Sequence, residues 1–172
     1  MKRGQTPSQT VGPYFAYGLT AEQYGYPFTQ IAGGVIAASD NSIRIVGRVL
    51  DGEGNPVPDA MVEIWQPGAG FGRQGTGSTQ GNYFEFETVK PLAFSATEAP
   101  HLTAIVFMRG LLSHLYTRIY FDDEAAANAA DEVLKALPVE RRATLLARRD
   151  SGSRYRFDIH LQGEAETVFF DL

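Results

Sequence analysis

The sequence contains no cysteine, which excludes disulfides, thiolate metal sites and a cysteine nucleophile. Histidine is scarce as well. His101, His114 and His160 are the only three, and no two of them are close enough in sequence to set two imidazoles on one metal from a single element. His160 is out of step with the Phe157, Ile159, Leu161 alternation, and His114 falls opposite Leu115 and Ile119, so both are expected at the surface. Positive charge is also in short supply. The formal net charge of −5 argues against a nucleic-acid surface, which needs clustered Lys and Arg to neutralise phosphate. The pairs Arg141-Arg142 and Arg148-Arg149 are expected on the solvated side of a short helix. No apolar run approaches the roughly 20 residues of a membrane helix. Lys2 and Arg3 are not followed by the apolar segment of a secretory signal, so a cytoplasmic protein is the expectation.

Several enzyme classes lose their footing in the same way. The serines sit in Gly- and Thr-rich stretches without the strained strand-to-helix turn of an acyl-transfer nucleophile. The run Gly70-Phe71-Gly72-Arg73-Gln74-Gly75 has spaced glycines, but no helix pattern follows, and it reads as a loop between strands rather than a dinucleotide site. Asp122-Asp123 reads as a helix start, and Glu164 with Glu166 as an exposed loop.

The chain has the size of one domain and an ordinary globular balance, 44% hydrophobic and 20% charged, which supports a packed core. Residues 1–40 are broken by Pro7, Gly12, Pro13, Gly18, Gly25, Pro27, Gly33 and Gly34. They also carry Tyr14, Phe15, Tyr17, Tyr24, Tyr26 and Phe28, too much aromatic surface for a disordered tail. An ordered, interface-forming arm is predicted. From Ser42 the apolar residues recur with period two: Ile43/Ile45, Val62/Ile64, Phe84/Phe86, Leu115/Thr117/Ile119/Phe121 and Tyr155/Phe157/Ile159/Leu161. This is the pattern of half-buried strands. Turn formers at Asp51–Pro56 and Gly75–Asn82 predict that successive strands are antiparallel neighbours. Leu102–Met108, apolar on both faces, predicts a central, covered strand. The alanine-rich stretch 125–137, closed by Pro138, predicts a helix, with a second at 140–148. The expected fold is all-β: an antiparallel β-sandwich or partly open barrel over 41–172, with a long N-terminal arm and one or two short helices.

Four stretches resemble the intradiol ring-cleaving dioxygenases: Thr6–Tyr14 (TPSQTVGPY), Gly47–Asn55 continuing to Val62–Gln66 (VEIWQ), Tyr116–Glu124 (YTRIYFDDE) and Tyr155–Asp171. The last is typical of the iron-free alpha chain of the two-chain members. The resemblance implies a working site at an alpha–beta boundary, in which Fe(III) is held by two tyrosines and two histidines of the partner beta subunit. There protocatechuate and O2 would give 3-carboxy-cis,cis-muconate, within a large alpha–beta hetero-oligomer. Under this resemblance the ligand positions correspond here to Gln74, Phe94 and a His-x-His strand replaced within His101–Val106, so that His101 and Thr103 stand in its place. Phe, Gln and Thr do not supply the phenolate and imidazole lone pairs that hold Fe(III), so no iron is expected on this chain. The resemblance assigns Thr10, Gly12, Pro13 and Tyr14 of the arm, together with Arg109, to the wall of the partner's pocket. Arg109 would face the substrate carboxylate or make an ion pair with the beta chain. A competing reading is a non-catalytic transthyretin-like or carboxypeptidase-associated β-sandwich binding module, which shares the strand, Asp-Gly-x-Gly-Asn-Pro turn, strand pattern but has no need of the arm.

Overall fold

The structure is a computed structural model that describes residue 4, residues 9–12 and residues 14–171. Nine strands form one strongly curved sheet: β1 (Ser42–Leu50), β2 (Met61–Gln66), β3 (Gly70–Gly75), β4 (Tyr83–Val89), β5 (His101–Phe107), β6 (Leu115–Phe121), β7 (Leu146–Ser151), β8 (Arg154–Arg156) and β9 (Ile159–His160). Their order is β3-β2-β5-β6-β7-β8-β1-β4, with β9 also paired to β1. The predicted alternation holds: Ile45, Val62, Ile64, Phe84, Phe86, Ile119, Phe121 and Ile159 are all fully buried in one core. At roughly 1.5–3 kcal/mol for each fully buried large side chain, this inner face is the main source of stability.

The two edges of the sheet are joined by the arm. Between β3 and β4, Arg73 N–H donates to the Gly33 carbonyl (2.9 Å), Ile36 N–H to the Glu87 carbonyl (2.8 Å), and Glu87 N–H to the Gly34 carbonyl (2.8 Å). Residues 33–36 thus fill the gap in the wall, and the sandwich is a nearly closed barrel. The short helix α1 (Tyr14–Leu19) and a 3-10 turn at Ala21–Tyr24 lie outside it.

Several expectations are corrected. Not all pairs are antiparallel: β1 runs parallel to β8 and β9, and β6 parallel to β7. Neither the turn at Asp51–Pro56 nor that at Gly75–Asn82 makes its flanking strands neighbours: β1 and β2 lie apart, and β3 and β4 are the two edges of the sheet. Val57 N–H still reaches the Val49 carbonyl (2.8 Å), but Pro58 has no N–H to extend that ladder, and the chain leaves for the other half of the sheet. The glycine run 70–75 is a strand instead of a loop. A Cβ at Gly72 would stand 2.8 Å from the Gly33 carbonyl, so glycine is what lets the arm lie this close to β3. β5 is interior to the sheet as expected, but Thr103, Ile105 and Phe107 on its outer face are only half-covered.

The predicted helix 125–137 is two helices, α2 (Ala125–Ala130) and α3 (Glu132–Ala136). Asp131 between them is extended (φ −65°, ψ 126°) and fully buried. Its carboxylate accepts from Leu134 N–H (2.8 Å), Ala99 N–H (2.8 Å) and the Tyr120 hydroxyl (3.3 Å), and this buried N-cap breaks the run. Asp122 and Asp123 do not cap the first helix; Asp123 binds Lys90 (2.8 Å) and the Tyr155 hydroxyl (2.8 Å). The second predicted helix shrinks to α4 (Val139–Arg142) and a 3-10 turn, and Arg148 and Arg149 lie on β7. Arg141 and Arg142 are half-buried and donate to the carbonyls of Glu166 (2.8 Å) and Leu137 (3.1 Å). His160 is half-buried, not free in solvent, because the following loop folds back and Thr167 N–H donates to the His160 carbonyl (2.9 Å).

Candidate functional site

Met61 at the start of β2 pairs with Phe107 at the end of β5, so Asp59 and Arg109, just outside these strands, come to one end of the barrel. Arg109 Nε lies 2.9 Å from Asp59 Oδ2. The two groups differ in environment: the Arg109 side chain is 60% exposed and that of Asp59 only 6%. The second carboxylate oxygen, Oδ1, is buried with no hydrogen-bond partner among the described residues.

The arm runs across this same end. The Phe15 ring packs 5.6 Å from that of Phe107, and Thr10 Oγ1 accepts from Gly110 N–H at 2.8 Å. Gly110 has φ +91°, where a side chain would be strained, and this conformation turns its N–H toward the arm. Behind them, Tyr24 stacks edge-on against Tyr17 (4.4 Å), and its hydroxyl accepts from Gly77 N–H (3.1 Å). Burial pushes the Tyr24 phenol up; the Gly77 bond opposes this, while neighbouring Tyr17 and Asp59 add to it. A recess of about 310 Å³ opens beside the contact, lined by Gln9, Val11, Phe15, Phe107, Met108 and His114 among others.

Of the residues expected to form a pocket wall, Thr10 of the arm and Arg109 after β5 are therefore on adjoining segments. Gly12 is exposed, and a Cβ there would meet nothing within 4 Å. Tyr14 is 80% exposed, and Pro13 lies outside the described residues. Phe28, Ile31 and Val35 also expose most of their apolar surface, which gives the arm a continuing apolar character.

The positions matched to iron ligands come together only in part, with Gln74 apart from the rest. Phe94 and His101 line a recess of about 230 Å³ together with Pro67, Pro91, Leu92 and Arg118. Thr103 pairs with Trp65 on one side and Arg118 on the other, which puts it on the same outer face. Gln74 pairs with Val62 and so faces the interior, where it packs over Gly34. Burial pushes the His101 imidazole down; the bond between Nδ1 and the Ala99 carbonyl (2.9 Å) works against that, and Arg118 adds to the lowering. Arg118, paired with Glu98 at 3.2 Å, brings a fixed cation into the recess. A phenyl ring, a neutral hydroxyl, one imidazole and a single carboxylate, Glu98, already paired with the Arg118 guanidinium, do not fit a ferric ion, which needs several anionic and imidazole donors. Among the described residues no three His, Asp or Glu side chains are grouped to hold a metal.

Asp59 was not singled out in the sequence. It belongs to the turn Gly-Asn-Pro-Val-Pro-Asp, which reads as a generic feature, and the one signal that could have marked it is an acid set directly between Pro58 and the apolar start of β2.

The chain shares its fold with intradiol dioxygenases. The chain superposes with TM-score 0.60 on a dioxygenase domain from Streptomyces sp. SirexAA-E, 21% identical, covering 96% of this chain and all of that one. It superposes equally well, at 15% identity and 78% coverage, on an intradiol ring-cleavage dioxygenase from Tetranychus urticae, of which it covers 89%. No family model matches the sequence. Over 98% of both chains it is 51% identical to the protocatechuate 3,4-dioxygenase alpha chain of Burkholderia cepacia, and 41% identical to that of Pseudomonas putida over 97% of this chain and 96% of the relative. The chain belongs to the family of protocatechuate 3,4-dioxygenase alpha chains. It is also 30% identical to the beta chain from Burkholderia cepacia, over 73% of this chain and 66% of that one.

Proposed function

We propose that this chain works as the iron-free half of a two-chain intradiol dioxygenase. A beta-type chain would hold the ferric ion, and this chain would complete the pocket in which protocatechuate is cleaved with O2 to 3-carboxy-cis,cis-muconate. The observation that carries the reading is that near-full-length likeness to alpha chains goes with a donor set unfit for iron and an intact, exposed arm beside Arg109. The metal supplies the oxygen chemistry from the partner; this chain's residues bind and orient. Arg109 offers a half-free guanidinium for the substrate carboxylate. Thr10, Gly12, Pro13 and Tyr14 supply backbone and ring atoms to the wall, and glycine at 12 lets main chain approach a planar ring closely. The exposed apolar residues of the arm suit a stable contact with that partner.

The test is kinetic. With the co-expressed beta chain, Arg109→Ala should raise KM for protocatechuate by about ten- to a hundredfold, the worth of a charge-assisted hydrogen bond, with a smaller change in kcat. Unchanged kinetics with weaker assembly would instead give Arg109 an interface role. No helix among the described residues is long and apolar enough to cross a membrane, and a cytoplasmic location is proposed on the same family grounds.

A further inference from the structure

We infer that Asp59 is a positioning residue for Arg109: its buried carboxylate, together with the Thr10 clasp on Gly110, fixes the direction in which the guanidinium meets an aromatic carboxylate. The inference rests on the reading of Arg109 given above.

Three observations carry it. Asp59 is a nearly inaccessible anion whose partner is an exposed cation, and this pairing is unlike the exposed pair Arg44–Glu85, in which both groups are solvated. An ion pair whose cation is largely in water returns little stability, while the anion has been desolvated. Asp59 also leaves Oδ1 buried and unsatisfied among the described residues, a further cost that an apolar residue would avoid. What a carboxylate supplies here and an apolar residue does not is direction. The ion pair sets Nε, at 2.9 Å, against Asp59 Oδ2, so the Nε side of the guanidinium is held at the carboxylate and the terminal Nη edge is the part left to meet a second anion. A guanidinium already held in place loses less freedom when that anion arrives. The backbone is fixed on the other side as well. Thr10 Oγ1 takes Gly110 N–H at 2.8 Å and lies 3.5 Å from the Met108 carbonyl, so residues 108–110 are tied to the arm.

The experiment uses the two-chain complex and two competitive inhibitors of the same shape, 4-hydroxybenzoate and its neutral amide, 4-hydroxybenzamide. The readout is the ratio of their inhibition constants, which does not depend on how much enzyme assembles. Asp59→Asn and Asp59→Ala should each lower the preference for the carboxylate by about tenfold, the scale of one charge-assisted contact. Arg109→Ala should lower it by a similar factor, and the double variant Asp59→Asn/Arg109→Ala should go no further. If Arg109→Ala lowers the ratio and neither Asp59 variant does, or if both inhibitors weaken equally, the positioning role is overturned while the reading of Arg109 stands. If Arg109→Ala leaves the ratio unchanged, the reading of Arg109 fails first. Failure of both Asp59 variants to assemble assigns the residue to folding and overturns the inference.

Discussion

Gly12 illustrates what a single residue contributes. No described residue comes within 4 Å of a methyl group there, so Gly12→Ala should leave the melting temperature of the isolated chain unchanged while lowering kcat/KM of the two-chain enzyme by about tenfold, because a wall that approaches a ring closely has no room for it. A normal kcat/KM would remove Gly12 from the wall. Gly47 is the opposite case. A Cβ there would stand 1.7 Å from the Phe157 carbonyl, which crosses β1 at this point, so Gly47→Ala should cost about 3 kcal/mol or more in chemical denaturation and prevent folding in a marginal background. Tyr120 is fully buried, and burial pushes its phenol up to about 12, against the opposing effect of Arg118. It stays protonated and donates to Asp131. Tyr120→Phe should cost about 1–2 kcal/mol, read from urea unfolding. At this scale the sequence was legible where chemistry is intrinsic to the residue: Phe94 has no oxygen to give a metal in any fold. It was not legible for Asp59, whose character comes from burial, nor for Gln74, whose face depends on the register Val62↔Gln74.

Among the elements, the period-two strands were read correctly because inner and outer faces alternate whatever the topology. Their neighbours were not, because Pro58 ends the β1 ladder and sends β2 across the barrel. The helix at 125–137 was read from alanine propensity, which a buried cap at Asp131 overrides. The junction of β1 with β8 and β9 contains a second ion network: Asp158 accepts from Arg48 backbone N–H (3.0 Å) and from the guanidinia of Arg48 (3.0 Å) and Arg156 (2.9 Å). Burial alone would raise the Asp158 carboxyl; the bonds from Arg48 and Arg156 outweigh it and hold the group below the usual range. A depressed folded value means a contribution fully present above the ordinary carboxylate pKa of about 4 and lost as pH falls through the folded value. Asp158→Asn should therefore cost about 2 kcal/mol at pH 7 and progressively less in acid, measured by denaturant midpoints from pH 7 to pH 3. A constant difference across that range would contradict the network.

For the whole molecule, the arm ties folding to function. Residues 33–36 complete the barrel wall, while residues 9–12 and 14–19 cross the end that carries Arg109, and Tyr26, Phe28 and Ile31 between them are largely exposed. Under the proposed function, a chain built in this way would be at once a closed domain and half of a larger site. The resemblance names the family from four short stretches, and full-length likeness to the alpha chains agrees with it; the proposed division of labour is supported by donors unfit for iron and by arm residues left exposed near Arg109. The most direct test is to purify the chain alone and then with its beta-type partner, and measure iron content, visible absorption and protocatechuate cleavage. The account predicts no bound iron, no tyrosinate-to-iron colour and no activity in the chain alone, with all three appearing only in the complex. Stoichiometric iron with the red absorption in the isolated chain would contradict it.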